Sequence, residues 1–109
     1  MRKTTAGIVF LLILTLMCGA ALAQTRVLAT TFSVYQIVRN ITQNVPDVEV
    51  QLMLPAQAGC PHDYALTPQD MSKLAQADIL VLNGLGLEAF LGSPSARAQK
   101  ELHAIDSSK

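Results

Sequence analysis

The sequence predicts an α/β fold made of parallel βαβ units, on three observations. Segments with strand-like composition alternate along the chain with segments whose apolar residues recur at helical spacing. The segment 78–82 is apolar at nearly every position, which is typical of a strand covered on both faces. Half of the 109 residues are hydrophobic, which excludes disordered and collagen-like chains. A chain of this length forms at most one small domain.

The first 23 residues have the layout of a cleaved secretory signal peptide. Two basic residues precede the apolar run 8–17, and the Ala-Leu-Ala sequence at 21–23 supplies an A-x-A cleavage site. The run is shorter than the roughly 18 residues of a membrane span, and Cys18 lacks the small residues that precede a lipidated cysteine. An uncleaved anchor is the alternative. We expect residues 24–109 to form the exported chain.

The charge of the chain gives no electrostatic basis for binding nucleic acid. Eight basic residues balance eight acidic residues, and the sequence contains no basic stripe. After the predicted cleavage, six basic and eight acidic residues remain. Cys60 is then the single cysteine, so a disulfide framework is excluded as well.

The first strand and helix follow from composition and spacing. A β-rich run over residues 26–31 predicts the first strand. Ser33 and Gln36 form an S-x-x-Q capping box, which predicts the start of a helix. Four apolar residues then define one helical stripe: Val34, Ile37, Val38 and Ile41. Pro46 lies beyond the predicted end of the helix.

A second strand, a long loop and a second helix come next. Residues 48–54 alternate, and the apolar positions that share one face are Val48, Val50, Leu52 and Leu54. The loop 56–66 has about eleven residues, a length that is uncommon in compact domains and often functional. Thr67 is the predicted helix cap, Pro68 takes the first helical position and Asp70 completes a capping box.

The last part of the chain contains two further strands. The apolar segment 78–82 is the third strand, and Asn83-Gly84 turns into a short helix over residues 88–91. Ser93-Pro94 predicts another helix start, and residues 102–106 begin a fourth strand. Since no helix follows to cover that strand, we expect residues 24–109 to be the incomplete start of a larger lobe.

The long loop holds most of the candidate metal ligands. His62 offers a neutral imidazole to Zn, Mn or Fe, and Pro61 stiffens the backbone beside it. A solvated histidine without a ligand role is the alternative, because one imidazole does not make a transition-metal site. Cys60 and His62 form a possible thiol nucleophile and base, although no oxyanion-hole pattern accompanies them. His103 is interpreted as structural.

A glycine turn suggests a different function. Gly84, Gly86 and Ala89 match G-x-G-x-x-A after a predicted strand, and Asp106 follows 22 residues after Gly84. This pattern would suit a periplasmic dinucleotide-dependent oxidoreductase. The motif follows the third strand rather than the first, however, and a tight turn that needs small residues explains it equally.

Several blocks in order resemble one protein family. They are Ala29-Thr30-Thr31-Phe32, Gly59-Cys60-Pro61-His62-Asp63-Tyr64, Leu66-Thr67-Pro68 and Asn83-Gly84-Leu85-Gly86-Leu87-Glu88. Together they resemble the zinc- and manganese-binding solute-binding proteins of bacterial ABC importers. Ser33 stands where proline is usual in that family, and Cys60 stands where aspartate is common.

The resemblance implies a non-enzymatic role outside the cytoplasm. His62 matches the family's first metal-ligating histidine, and the remaining ligands are implied to lie beyond Lys109. The implied fold is part of the N-terminal lobe of a two-lobe periplasmic binding protein. The implied partners are a divalent Zn or Mn ion, carried as the transported ligand, and the membrane permease of an ABC importer. A metal-sequestering surface adhesin is a further alternative.

Overall fold

A computed structural model describes residues 23–92 and 101–109. Its regular elements are β1 (Thr25–Ala29), α1 (Phe32–Thr42), β2 (Val48–Leu52), α2 (Pro68–Gln76), β3 (Ile79–Leu82) and β4 (His103–Asp106). Two short 3₁₀ turns are named here the His62 turn (Pro61–Asp63) and the Phe90 turn (Ala89–Leu91). Residues 1–22 of the predicted signal peptide and the helix start predicted at Ser93-Pro94 lie outside the described residues. Within the described ranges, no helix is long and apolar enough to cross a membrane.

The strands form one parallel sheet in the order β2-β1-β3-β4. In register, Val27 of β1 pairs with Val50 of β2 on one side and with Ile79 of β3 on the other. Leu80 of β3 pairs with Ala104 of β4. The predicted α/β class with parallel βαβ units is therefore confirmed.

Both faces of the sheet are covered, because alternate residues of each strand point to opposite sides. On the α1 side, Val34 packs with Val27, Ala29 and Val81. On the α2 side, Leu74 packs with Leu28 and Leu80, all of them at most 1% exposed. The prediction that the third strand is buried on both faces is confirmed at its centre.

The helix α1 differs from its prediction at its start and along its apolar stripe. It begins at Phe32 with Thr31 as the N-cap and no side-chain capping bond, so the capping box predicted at Ser33 is wrong. Ile37 is 60% and Ile41 72% exposed. The flank of Val34 that carries Tyr35 and Val38 packs on the sheet instead, which leaves the isoleucine flank in solvent. The predicted stripe is therefore right at Val34 and Val38 and wrong at Ile37 and Ile41, because the helix is rotated toward the side of Tyr35.

The strand β2 ends at Leu52, two residues before its predicted end. The chain bends at Met53 and Leu54, while their amides still bond to the carbonyls of Ala29 and Thr30 at 2.8 and 3.0 Å. This bend places Leu54 in the core on the α2 side, whereas Val48 and Val50 pack on the α1 side. The single apolar face predicted for residues 48–54 is therefore wrong at Leu54.

The start of α2 is as predicted. The Thr67 hydroxyl accepts a bond from the Asp70 amide at 3.2 Å, and the Asp70 carboxylate accepts one from the Thr67 amide at 2.9 Å. Pro68 takes the first helical position, where its missing amide costs nothing. This reciprocal capping box fixes the point at which the long loop ends.

Candidate metal site

The candidate site lies where the loops after β1, β2 and β3 meet at the carboxyl edge of the sheet. β1 lies between β2 and β3, and the helices that follow β1 and β2 cover opposite faces. Ligands of open parallel sheets bind outside the carboxyl ends of the strands at such a switch point. A cavity of about 170 Å³ opens here, with walls that include Thr31, Leu54 and Pro61. Neither histidine lines this cavity, and neither lines the larger grooves of about 450 Å³ beside α2 and about 360 Å³ beside α1.

His62 lies in a short turn that is closed by two backbone hydrogen bonds. The Asp63 amide donates to the Cys60 carbonyl and the Tyr64 amide to the Pro61 carbonyl, both at 3.2 Å. Pro61 restricts the first position of the turn. The His62 side chain is exposed, so its imidazole is accessible to an ion from solvent.

Tyr64 anchors the His62 turn on its C-terminal side. Its hydroxyl donates to the Asp70 carboxylate at 2.9 Å. Its ring meets the Phe90 ring edge-on, with centroids 5.7 Å apart and planes at 76°. The loop that carries His62 is therefore fixed to both α2 and the Phe90 turn, and the two 3₁₀ turns are in contact.

The electrostatics of this anchor keep Asp70 ionised and Tyr64 neutral at neutral pH. Burial alone would raise the pKa of Asp70, which is 3% exposed. Hydrogen bonds from Thr67 and Tyr64 outweigh burial, so the pKa of the Asp70 carboxyl lies below its usual range. Burial raises the pKa of Tyr64, and the neighbouring Asp70 carboxylate raises it further. Each partner is thus held in the protonation state that the hydrogen bond needs.

Glu88 joins two of the strands at the switch point. Its carboxylate accepts a bond from the Thr30 hydroxyl at 2.7 Å and bonds from the amides of Asn83 and Gly84 at 2.6 and 3.1 Å. Thr30 follows β1 directly and is fully buried. Sequence reasoning did not single out Glu88. The available indication was its place at the end of the glycine turn.

The glycine turn does not present a dinucleotide site. Gly84, Leu85 and Gly86 all have positive φ, at 87°, 55° and 79°. The amides of Asn83 and Gly84, which would face a pyrophosphate, are bonded to the carboxylate of Glu88. The side chains of Asp106 and Ser108 also crowd Gly84, because a Cβ at that glycine would overlap both. The residues that match G-x-G-x-x-A therefore form a tight turn, and the Glu88 carboxylate occupies the amides that would otherwise face a phosphate.

The other candidates do not assemble around His62. Cys60 and Asp63 lie in the same exposed loop, but the Cys60 thiol shares no hydrogen bond with the His62 imidazole in the described structure. His103 is exposed in β4. Within residues 23–92 and 101–109, no group of three or more His, Cys, Asp or Glu side chains is placed to hold a metal ion. The described part of the chain thus offers one accessible imidazole at the switch point.

Comparisons with known proteins point in one direction. The family model described as "Zinc-uptake complex component A periplasmic" matches residues 27–109. The high-affinity zinc uptake system protein ZnuA of Haemophilus ducreyi is 43% identical over 65 residues, which cover 60% of this chain and 20% of that protein. The metal ABC transporter substrate-binding lipoprotein SloC of Streptococcus mutans is 35% identical over 60 residues, or 54% of this chain and 20% of that protein.

Solved structures agree with the sequence relatives. The periplasmic zinc binding protein TroA of Treponema pallidum superposes with a TM-score of 0.64 at 27% identity, covering 75% of this chain and 28% of that one. The Mn-bound periplasmic metal binding protein of Candidatus Liberibacter asiaticus gives a TM-score of 0.65 at 27% identity, covering 76% of this chain and 30% of that one. The chain spans between 20% and 30% of the length of these four relatives.

Proposed function

The chain belongs to the family of periplasmic zinc-uptake component A proteins, and on that basis we propose that it forms part of a non-enzymatic solute-binding protein. This protein captures Zn²⁺ or Mn²⁺ outside the cytoplasm and delivers it to the membrane permease of an ABC importer. Relatives named for zinc uptake and for metal ABC transport support the proposal. So does an Mn-bound structural relative.

The observation that carries the proposal is the placement of His62. An accessible imidazole lies on a backbone-fixed turn at the edge of the sheet where ligands of such folds bind. His62 supplies one ligand, and the remaining ligands come from outside the described residues. A transition metal takes four or more ligands, so we expect the 109-residue chain alone to bind zinc weakly.

Export completes the proposed role. We propose that residues 1–23 are a signal peptide that is cleaved before Gln24, which delivers the chain to the periplasm. Mass spectrometry of the exported protein should give an N-terminus at Gln24. A chain that begins at Met1 or at a lipid-modified Cys18 would contradict this.

Zinc titration with two histidine variants tests the metal ligand. Because His62 and His103 are the only histidines in the chain, their ring resonances in NMR spectra are readily assigned. Zinc should shift the His62 resonances, and Mn²⁺ should broaden them. His62→Ala should abolish the zinc response, whereas the matched control His103→Ala should retain it. Loss of the response in His103→Ala, or its persistence in His62→Ala, would refute the assignment.

A further inference from the structure

The turn Asn83–Glu88 contains three hydrogen bonds to one carboxylate, that of Glu88. The proposed function does not account for them. Three donors converge on the Glu88 carboxylate, from the end of β1 and from the first two residues after β3. A carboxylate suits this position because its two oxygens serve all three donors. A glutamine would offer one acceptor oxygen and would direct an NH₂ group toward an amide. The contact is therefore specific for a carboxylate.

Glu88 also marks the start of the Phe90 turn. Its carbonyl accepts a bond from the Leu91 amide at 2.9 Å, so the turn begins at the residue whose side chain is bonded to the residues that follow β1 and β3. The Phe90 ring then packs against Tyr64, two residues after His62. Leu91 is fully buried and fixes the other end of the turn in the core. A continuous set of contacts thus leads from the sheet edge to the His62 turn.

We propose that Glu88 is a positioning residue for His62. Its bonds to the residues that follow β1 and β3 hold the Phe90 turn where the Phe90 ring supports Tyr64, and Tyr64 in turn fixes the end of the His62 turn. The inference rests on the proposed function, since the position of an imidazole affects capture only if His62 binds metal. It gives the glycine turn a role in metal capture that is distinct from its resemblance to a nucleotide motif.

The first test is made without metal. In Glu88→Gln, the amides of Asp63 and Tyr64, which close the His62 turn, should exchange with solvent about tenfold faster, because hydrogen bonds to a charged group are lost. Their resonances should shift as well. If the resonances of Asn83 change but exchange at Asp63 and Tyr64 does not, the positioning role is refuted.

Glu49→Gln is the matched control for this test. Glu49 lies in β2, where its carboxylate accepts a bond from Gln51 and pairs with Arg26 at 3.9 Å. Its substitution removes the same charge and should leave exchange in the His62 turn unchanged. A milder variant, Thr30→Val, removes one donor and keeps the shape of the side chain. It should also make the amides of Asp63 and Tyr64 exchange faster. If Glu88→Gln does not fold, Thr30→Val decides the question, and an unchanged exchange rate in folded Thr30→Val would refute the proposal.

The second test measures zinc affinity in a double-mutant cycle on the whole chain. Glu88→Gln and Phe90→Leu should each weaken zinc binding at His62 by about tenfold, the low end for residues that orient a ligand. The double variant should be no weaker than either single variant, because both act through the same contact. Additive losses would refute the path through Phe90. If the wild-type His62 resonances do not respond to zinc, the proposed function fails, while the exchange test still decides whether Glu88 positions the turn.

Discussion

Asp70 holds the loop that carries His62 against the start of α2. It is almost fully buried, yet it accepts bonds from the Thr67 amide, the Thr67 hydroxyl and the Tyr64 hydroxyl. These bonds lower its pKa despite burial. The folded state therefore stabilises the ionised form of the Asp70 carboxyl more than the unfolded chain does.

This lowered pKa predicts a specific acid dependence of stability. The contribution of Asp70 should be fully present above the ordinary aspartate pKa of about 3.9. It should be lost as the pH falls from that value through the lower pKa of the folded state, because the unfolded chain takes up a proton there more readily than the folded state does. Urea unfolding from about pH 6 to about pH 2 should show a shallower acid slope in Asp70→Asn than in the wild type.

Asp47→Asn serves as the control for the acid dependence. Asp47 is exposed and has a φ of 60°, a conformation that asparagine tolerates well. Its acid slope should match that of the wild type. Identical slopes for the wild type and Asp70→Asn would show that the Asp70 network does not contribute.

The sequence alone predicted a ligand role for His62 but did not single out Glu88, and the reason is physical. His62 belongs to a local loop whose residue types already suggest metal binding. The role of Glu88 depends on Thr30, which is 58 positions away in sequence. Only the pairing of β1 with β3 brings these two side chains together. Local patterns identified a turn with small residues, but they could not show which acceptor binds the amides of that turn.

At the scale of elements, the two helices differ in how far local sequence determines their starts. The cap of α2 is a reciprocal bond between Thr67 and Asp70, so the sequence pattern alone located it. The cap of α1 is Thr31, whose hydroxyl oxygen is buried without a hydrogen-bond partner. The end of β1 determines where α1 begins, and the S-x-x-Q pattern at Ser33 does not override it.

A pair of matched substitutions tests this difference. Thr67→Ala should lower the free energy of unfolding by about 1–2 kcal/mol, the usual cost of losing an N-cap side chain. Thr31→Ala should change it by less than about 0.5 kcal/mol, because no capping bond is lost. Chemical denaturation of both variants under the same conditions measures the difference. Equal losses would show that the Thr31 hydroxyl is bonded in solution.

At the scale of the whole molecule, alternation of strands and helices predicted parallel pairing but not the order of the strands. That order depends on the α2 crossover, which carries the chain from β2 past β1 to β3. No local pattern encodes it. The order nevertheless creates the switch point, and so it places the His62 turn and the Phe90 turn at one edge of the sheet.

The exposed apolar surface predicts how the isolated chain behaves. Several large apolar side chains are at least 47% exposed, namely Phe32, Ile37, Ile41, Val45, Leu85 and Ile105. A chain of 86 residues after cleavage buries a small share of its apolar surface, and this chain covers at most 30% of the four relatives compared. Residues 24–109 expressed alone should self-associate and unfold over a broad temperature range. Calorimetry with analytical ultracentrifugation measures both properties.

Two substitutions on α1 separate surface association from weak folding. Ile37→Lys and Ile41→Lys together should reduce self-association, because both side chains lie on the exposed flank of the helix. They should leave the unfolding transition broad, since neither residue belongs to a buried cluster. Leu74→Ala is the contrasting variant: Leu74 is fully buried in the core on the α2 side, and its truncation should shift unfolding to lower temperature, because losing a buried leucine side chain usually costs about 2–5 kcal/mol. A sharp two-state transition of the unmodified chain as a monomer would show that the four-stranded sheet is sufficient to fold without further covering structure.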